Sequence, residues 1–185
     1  MRPFRVEAPQ GVLVTWDDED GLAVQCSLET TDERRGLVEG FERAAVAFLD
    51  GYTGRLGRCI LRQKWALPLI GNPEAVFLPF PDCREFAIEQ RDDQGAWSPV
   101  DGVTVTRMED YALLVDLPPD QTGLYLTCWA GWETAEDVPE NLKQAVRLLV
   151  AHWFDNRAAV ATGQTPHHAP LAVDAMIAPL VHVFV

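Results

Sequence analysis

The side chains able to do covalent chemistry are few and poorly spaced for it. The 185-residue chain has two serines, Ser27 and Ser98. Neither stands in a Gly-x-Ser-x-Gly turn that would present a nucleophilic hydroxyl. The four cysteines, Cys26, Cys59, Cys83 and Cys128, are far apart and form no Cys-x-x-Cys pair. A Cys–His couple stays open, but no cysteine has a nucleophile-like context, and the default reading is buried free thiols in a reducing cytoplasm. Of the histidines, His152, His167, His168 and His182, the middle two are adjacent in a loop. No His-Glu-x-x-His or repeated ligand spacing occurs, so no metal site is expected. Residues 51–57 contain glycines but lack the Gly-Lys-Ser/Thr end of a phosphate loop, and there is no Gly-x-Gly-x-x-Gly. Asp17-Asp18 and Asp92-Asp93 read as turns and solvated surface. No catalytic residue, metal or cofactor is expected, and the chain does not read as an enzyme.

Composition narrows the classes further. The net charge of −13 opposes broad binding to phosphate backbones, which needs clustered Lys and Arg. It is compatible with DNA passing nearby, since a negative wall repels DNA and lets it slide; it is equally compatible with an acidic protein that merely stays in solution. No apolar run reaches the ~20 residues of a membrane helix, so no membrane partner is expected. The opening MRPFRVEAPQ lacks the apolar stretch of a signal peptide. The length suits one sizeable domain, or a domain with a small insert.

The elements that would position any site are legible in part. Residues 12–16 form a short apolar run, followed by the acidic group 17–20 and then Leu22, Val24 and Leu28; this reads as a loop and a short helix or irregular segment. Thr30 and Glu33 have capping-box spacing, and Leu37, Phe41, Ala44, Ala45, Phe48 and Leu49 follow at helical period. Gly36 and Gly40 weaken that helix, and their four-residue spacing is a weak signal for close backbone approach. Gly51 stops it.

Residues 55–65, RLGRCILRQKW, hold Arg55, Arg58, Arg62 and Lys64 and no acid. Cys59, Leu61 and Trp65 alternate with polar positions, as in a strand. The basic group is either a solvated strand face or a contact with an acidic patch on another subunit.

From residue 68 to about 132 the texture changes. Seven prolines lie between Pro68 and Pro119, and β-prone runs appear at 75–78, 85–89, 103–107, 111–115 and 124–129. Asp92-Asp93-Gln94-Gly95 and Leu117-Pro118-Pro119-Asp120 are breaks between them. A small antiparallel unit of about five strands is expected. Trp129 and Trp132 flank a turn just beyond, and read either as packing or as an interface anchor.

Residues 137–157, DVPENLKQAVRLLVAHWFDNR, then make one amphipathic helix. Asp137 is the expected N-cap, Glu140 completes a capping box, and Pro139 falls in the first turn. Leu142, Ala145, Val146, Leu149, Val150, Trp153 and Phe154 form its apolar stripe, with Lys143, Arg147 and Asn156 off it and Arg157 suiting the C-terminal dipole. This is a core helix whose face could also meet a neighbouring subunit. After a loop at 162–170, residues 171–180 can form a short helix, and the chain closes in an uncharged β-prone tail, LVHVFV. That tail either packs on its own domain or adds a strand to a partner's sheet edge. The whole reads as α+β: a helical core with an inserted small antiparallel β unit.

Several of these segments in order carry a resemblance. Phe48-Leu49-Asp50-Gly51-Tyr52-Thr53-Gly54-Arg55, then a strand ending Gln63-Lys64-Trp65, a proline-rich β segment, Gly131-Trp132, Asp137-Val138-Pro139 leading into AVRLLVAHWFDNR, and finally Pro170 with Ala178-Pro179-Leu180 resemble the head–tail connector (adaptor) proteins of long-tailed phages, of the kind with a small β insert. The similarity runs from about residue 17 to 180 and is sharpest at 137–157 and at the Tyr52–Arg55 turn. A prophage or gene transfer agent would look the same.

The resemblance implies an assembly protein of the particle neck, made in the bacterial cytoplasm. Its implied partners are further copies in a ring, commonly of twelve, the portal above, and neck or tail proteins below; DNA would pass through without specific binding. On this reading 1–65 and 133–180 form the helical connector core, 66–132 the β insert, and 181–185 a docking tail. Val181, His182, Val183, Phe184 and Val185 are the expected portal contacts. Arg55, Arg58, Arg62, Lys64 and Trp132 are the expected intersubunit contacts, and Leu142, Val146, Leu149 and Trp153 hold the core helix. The alternatives are a neck or tail-completion subunit bound to such a ring, or a small-molecule-binding or enzymatic domain using a pocket in the β insert.

Overall fold

Two hydrophobic periods alternate along the chain, and each builds its own unit. The computed structural model describes residues 2–71, 73–109, 112–117, 123–156 and 171–183. In chain order these form β1 (Phe4–Glu7), α1 (Leu22–Gln25), α2 (Arg35–Leu49), β2 (Gln63–Pro68), β3 (Ala75–Phe77), β4 (Arg84–Arg91), β5 (Trp97–Pro99), β6 (Thr104–Glu109), β7 (Ala112–Asp116), β8 (Leu124–Ala130), α3 (Glu140–Asp155) and α4 (Leu171–Ile177), closed by a 3-10 turn at Ala178–Leu180. The fold is mixed α+β. One compact unit comprises Met1–Gln10 and Leu61–Gly131, the other Gly11–Ile60 and Trp132–Val185. All described strands fall in the first and all described helices in the second.

The first unit contains a five-stranded antiparallel sheet in the order β1-β2-β8-β4-β5 and a three-stranded sheet in the order β3-β7-β6. Period-two alternation along β8 sends Leu124, Leu126, Cys128 and Ala130 to one buried face. Trp65 of β2 lies opposite Cys128 and meets Phe80 edge-on at 5.0 Å between ring centroids. Ile88 of β4, with Val76, Leu113 and Val115 of the smaller sheet, completes the buried set. Each such side chain stabilises by about 1.5–3 kcal/mol, several times an exposed ion pair, so these inner faces hold the unit. On the opposite face of β8, Tyr125 packs edge-on against Trp97 at 5.1 Å and Phe4 at 5.9 Å.

The sheet extends further than the sequence pattern indicates. Strands β1 and β5 are too short for a visible alternation, and β2 begins at Gln63 rather than near Cys59. Residues 4–7 and 61–65, expected with the helices, pair in the sheet: Phe4 lies opposite Ala66 and Arg5 opposite Trp65.

In the second unit α3 supplies the apolar stripe expected of it. Leu142, Ala145, Val146, Leu149 and Val150 are fully buried and pack with Val38, Ala45 and Leu49 of α2, Leu22 and Ala23 of α1, and Val173 and Ile177 of α4. Trp153 stands at the edge of the stripe, half-buried, with its ring 6.3 Å from Phe48.

Three local expectations are corrected. Asp137 does not cap α3: its carboxylate accepts hydrogen bonds from the Thr134 amide and hydroxyl. Pro139 takes the cap position, its carbonyl accepting from Leu142 and Lys143, and Glu140 becomes the first helical residue. The fixed φ of proline suits that boundary. Likewise α2 starts at Arg35, not at a Thr30–Glu33 box; Asp32 accepts the Arg34 amide at 2.8 Å and holds the turn before it. Arg147 is not on the solvated side. It is only 6% exposed, and its guanidinium pairs with Asp20 at 2.6 Å and with Glu140. A buried guanidinium is tolerated only with such partners, and Asp20 comes from a segment that helical periodicity does not register.

Gly131 ends β8 at φ +103°, and a Cβ there would lie 2.5 Å from the Leu61 carbonyl oxygen. Gly102, at φ +76°, has open space around it. In urea unfolding, Gly131→Ala is expected to lose about 3 kcal/mol or more, backbone strain plus clash, whereas Gly102→Ala loses about 1–2 kcal/mol from strain alone. Equal losses would mean that the Leu61 approach does not constrain the strand end.

Candidate functional site

Among the described residues no three His, Cys, Asp or Glu side chains come together in a group that could hold a metal ion. No described helix is long and apolar enough to cross a membrane. The candidate site is a set of surfaces built outward from α2.

Helix α2 carries two apolar seams one residue out of step. Val38, Glu42, Ala45 and Leu49 are buried, while Leu37, Ala44 and Phe48 are exposed and Phe41 is half-buried. Both sets run at steps of four, three and four, so each forms a stripe along the helix, offset from the other by one residue. The expectation of a single core stripe with Leu37, Phe41, Ala44 and Phe48 in it is thus corrected. The helix has more apolar arc than the packed seam uses, and the outer seam runs about 100° round from it, with Phe48 at its end edge-on to Trp153 at 6.3 Å and under the Arg55 guanidinium.

The inner seam contains a buried carboxylate. Glu42, 4% exposed, accepts hydrogen bonds from the amides of Leu13 at 3.1 Å and Val14 at 3.5 Å. Two otherwise orphaned backbone donors of the 11–16 segment are satisfied there, which fixes that segment over α2. Burial raises the Glu42 carboxyl above its ordinary value, and the two amides oppose the shift.

Beyond α2, the turn at residues 50–58 is tightly held. Asp50 accepts the Ile60 amide at 2.7 Å, and the amides of Arg55 and Leu56 donate to the carbonyls of Phe48 and Leu49. A Cβ at Gly54 would sit 2.3 Å from the Asp50 carbonyl oxygen, so only glycine fits. The Tyr52–Arg55 motif is therefore a structural turn.

The basic group divides between the two units. In the helical unit, Arg55 pairs with Asp174 at 2.8 Å and Arg58 lies 4.8 Å over the Trp132 ring. In the sheet unit, Arg62 pairs with Glu85 at 2.8 Å and lies 4.5 Å over Trp129, and Lys64 pairs with Glu89 at 2.9 Å. All four thus have partners within their own unit. Arg55 and Arg62 keep substantial side-chain exposure, whereas Lys64 is largely covered.

The C-terminal tail leaves the 3-10 turn with its backbone tied at two points. The Val181 amide donates to Ile177 and the His182 amide to the Leu56 carbonyl at 2.7 Å. Val183 is 70% exposed. Phe184 and Val185 lie outside the described residues, as do Arg157, His167 and His168.

No family model matches the chain, and no curated protein is similar to it. Solved structures share its fold over its full length. A chain in the neck of an empty GTA particle, computed with C6 symmetry, superposes with a TM-score of 0.71 at 21% identity, covering 100% of this chain and 97% of that one. A chain in the virion of a native gene transfer agent (GTA) particle gives 0.70 at 20% identity with the same coverage. A chain in the neck of a native GTA particle, computed with C12 symmetry, gives 0.67 at 22%, again with the same coverage. At these identities the likeness is one of fold.

The Glu42 environment makes a signed prediction. Its folded pKa lies above its ordinary 4.5, so between those values the native state binds a proton that the unfolded chain does not. The ionised carboxylate therefore costs stability at neutral pH, and that cost is relieved as pH falls through the folded value. Glu42→Gln keeps an oxygen acceptor for Leu13 and Val14 without the charge. In denaturant titrations over a pH series, the stability of the native sequence relative to Glu42→Gln is expected to rise as pH falls from neutral toward 4.5; a pH-independent difference would exclude titration of a buried carboxyl at this position.

Proposed function

We propose that this protein is a structural, non-enzymatic subunit of the neck of a phage-like particle, a head–tail adaptor that forms a ring beneath the portal and extends the DNA channel. The observation that carries the reading is the full-length fold likeness to chains in two GTA neck structures, computed with C6 and C12 symmetry. In this reading the helical unit is the connector core and the sheet unit an insert within it. The net charge of −13 suits a channel wall that DNA passes without sticking.

We assign the ring contact to a second copy seated on the outer seam of α2, Leu37, Phe41, Ala44 and Phe48. Such an exposed apolar stripe is characteristic of a protein–protein interface, and a ring of identical subunits supplies an identical partner for every copy. Arg55 and Arg62 add a charged rim in this scheme, while Arg58, Lys64 and Trp132 serve mainly the packing within their units. The segment from Val181 onward, including Phe184 and Val185, is the proposed attachment to the portal by strand addition, in which backbone hydrogen bonds supply affinity.

The particle and the purified chain test different parts of this. Electron microscopy of particles should show the chain in the neck, in as many copies as its ring requires; fewer copies bound to another ring would make it a completion subunit instead. In solution with the portal protein, the native chain should give rings, and Leu37→Asp with Phe48→Asp should give a folded monomer by circular dichroism and light scattering. Removing residues 181–185 should leave assembly intact and weaken portal capture at least tenfold; undiminished capture would refute the tail assignment, and rings from the double variant would refute the seam.

A further inference from the structure

Cys83 and Cys128, 45 residues apart in sequence, meet inside the sheet unit with their sulfurs 2.8 Å apart. We propose that they form a redox pair that closes into a disulfide between the start of β4 and the middle of β8 when the protein meets oxidising surroundings. The inference concerns the sheet unit alone and holds whether or not the neck reading does.

The geometry is already close to that of the bond. Both thiols are 1% exposed; Cys128 stands in β8 and Cys83 immediately precedes β4. Arg84, next to Cys83, lies opposite Trp129, next to Cys128, and the Arg107 guanidinium donates to the Cys83 carbonyl at 2.9 Å. A disulfide needs about 2.05 Å between sulfurs, so closure asks for an approach of less than about 1 Å. Cys26 and Cys59 belong to the other unit and serve as internal references.

The reaction needs an oxidant, and a low-molecular-weight disulfide such as oxidised glutathione suffices. One cysteine thiolate attacks a glutathione sulfur and expels glutathione thiolate, leaving a mixed disulfide. The second cysteine thiolate attacks the protein sulfur of that intermediate and expels the other glutathione. The two cysteine thiols lose two protons and two electrons, and the oxidant becomes two glutathione thiols. The partner thiol and burial hold Cys83 protonated, so the closed sheet reacts slowly and oxidation proceeds through local opening. Once formed, the bond closes a loop that contains β4, β5, β6, β7 and the first part of β8 and restricts the unfolded chain, which stabilises the unit.

The test uses the full chain, incubated a few degrees below its unfolding midpoint with oxidised glutathione or with dithiothreitol, then denatured, alkylated and mapped by mass spectrometry. The oxidised sample is expected to yield a linked Cys83–Cys128 peptide with Cys26 and Cys59 alkylated. It should unfold about 10 °C higher than the reduced sample. Dithiothreitol should reverse the shift, and Cys83→Ser and Cys128→Ser should each abolish it. Four alkylated thiols after oxidation, glutathione adducts without a link, a link through Cys26 or Cys59, or a linked form that unfolds no higher than the reduced one would each overturn the proposal. Because the native sequence is compared in two redox states, poor folding of either serine variant leaves the test decisive.

Discussion

The helical unit depends on one helix being able to satisfy two environments. The inner seam of α2 packs Val38, Ala45 and Leu49 against α3, and the carboxylate of Glu42 on the same seam anchors the 11–16 segment through its amides. A buried charge is costly unless hydrogen-bonded, so Glu42 and the segment over it require each other. With the inner seam committed, the apolar residues one position away are left at the edge of the packed face, Leu37 exposed and Phe48 only partly covered by Trp153.

A similar economy governs the charged residues. Arg147 is drawn into the unit by Asp20 and Glu140, a triad in which removing one partner would strand a buried charge. Arg58, Arg62 and Lys64 lie along aromatic rings or opposite acids, where their stems cover apolar surface and their charges are neutralised locally. A basic stretch that reads as an open patch in sequence is thus largely absorbed by the fold, and Arg55 and Arg62 keep the most exposure.

The sheet unit is held by different means. Its inner face is mainly apolar, with the buried Gln63 amide oxygen accepting from the Trp65 indole and its nitrogen donating to the Leu61 carbonyl; its opposite face carries the Phe4–Tyr125–Trp97 cluster, and its strand end at Gly131 tolerates no side chain. Among the described surfaces are the apolar seam of α2 and a tail whose Val183 is exposed.

Much of this was legible in the linear order of residues. Periodicity of 3.6 located α2 and α3, and β-prone runs located β3, β4, β6, β7 and β8. These are local properties, set by the φ/ψ preferences and side-chain direction of consecutive residues. Most of the missed items are non-local. Strands β1 and β5 are too short to show a period and exist because a neighbour offers hydrogen bonds. Asp137 lost its capping role to Pro139 because Thr134 claimed its carboxylate. The apolar arc of α2 could have been seen as too wide for one face, but which half is buried depends on α3 and the 11–16 segment. The sequence by itself determined the α+β class, the main elements and the absence of reactive motifs. Only the tertiary structure decided that Arg147 is buried, that Leu37 and Phe48 face outward and that Cys83 meets Cys128, because each depends on partners brought from far along the chain.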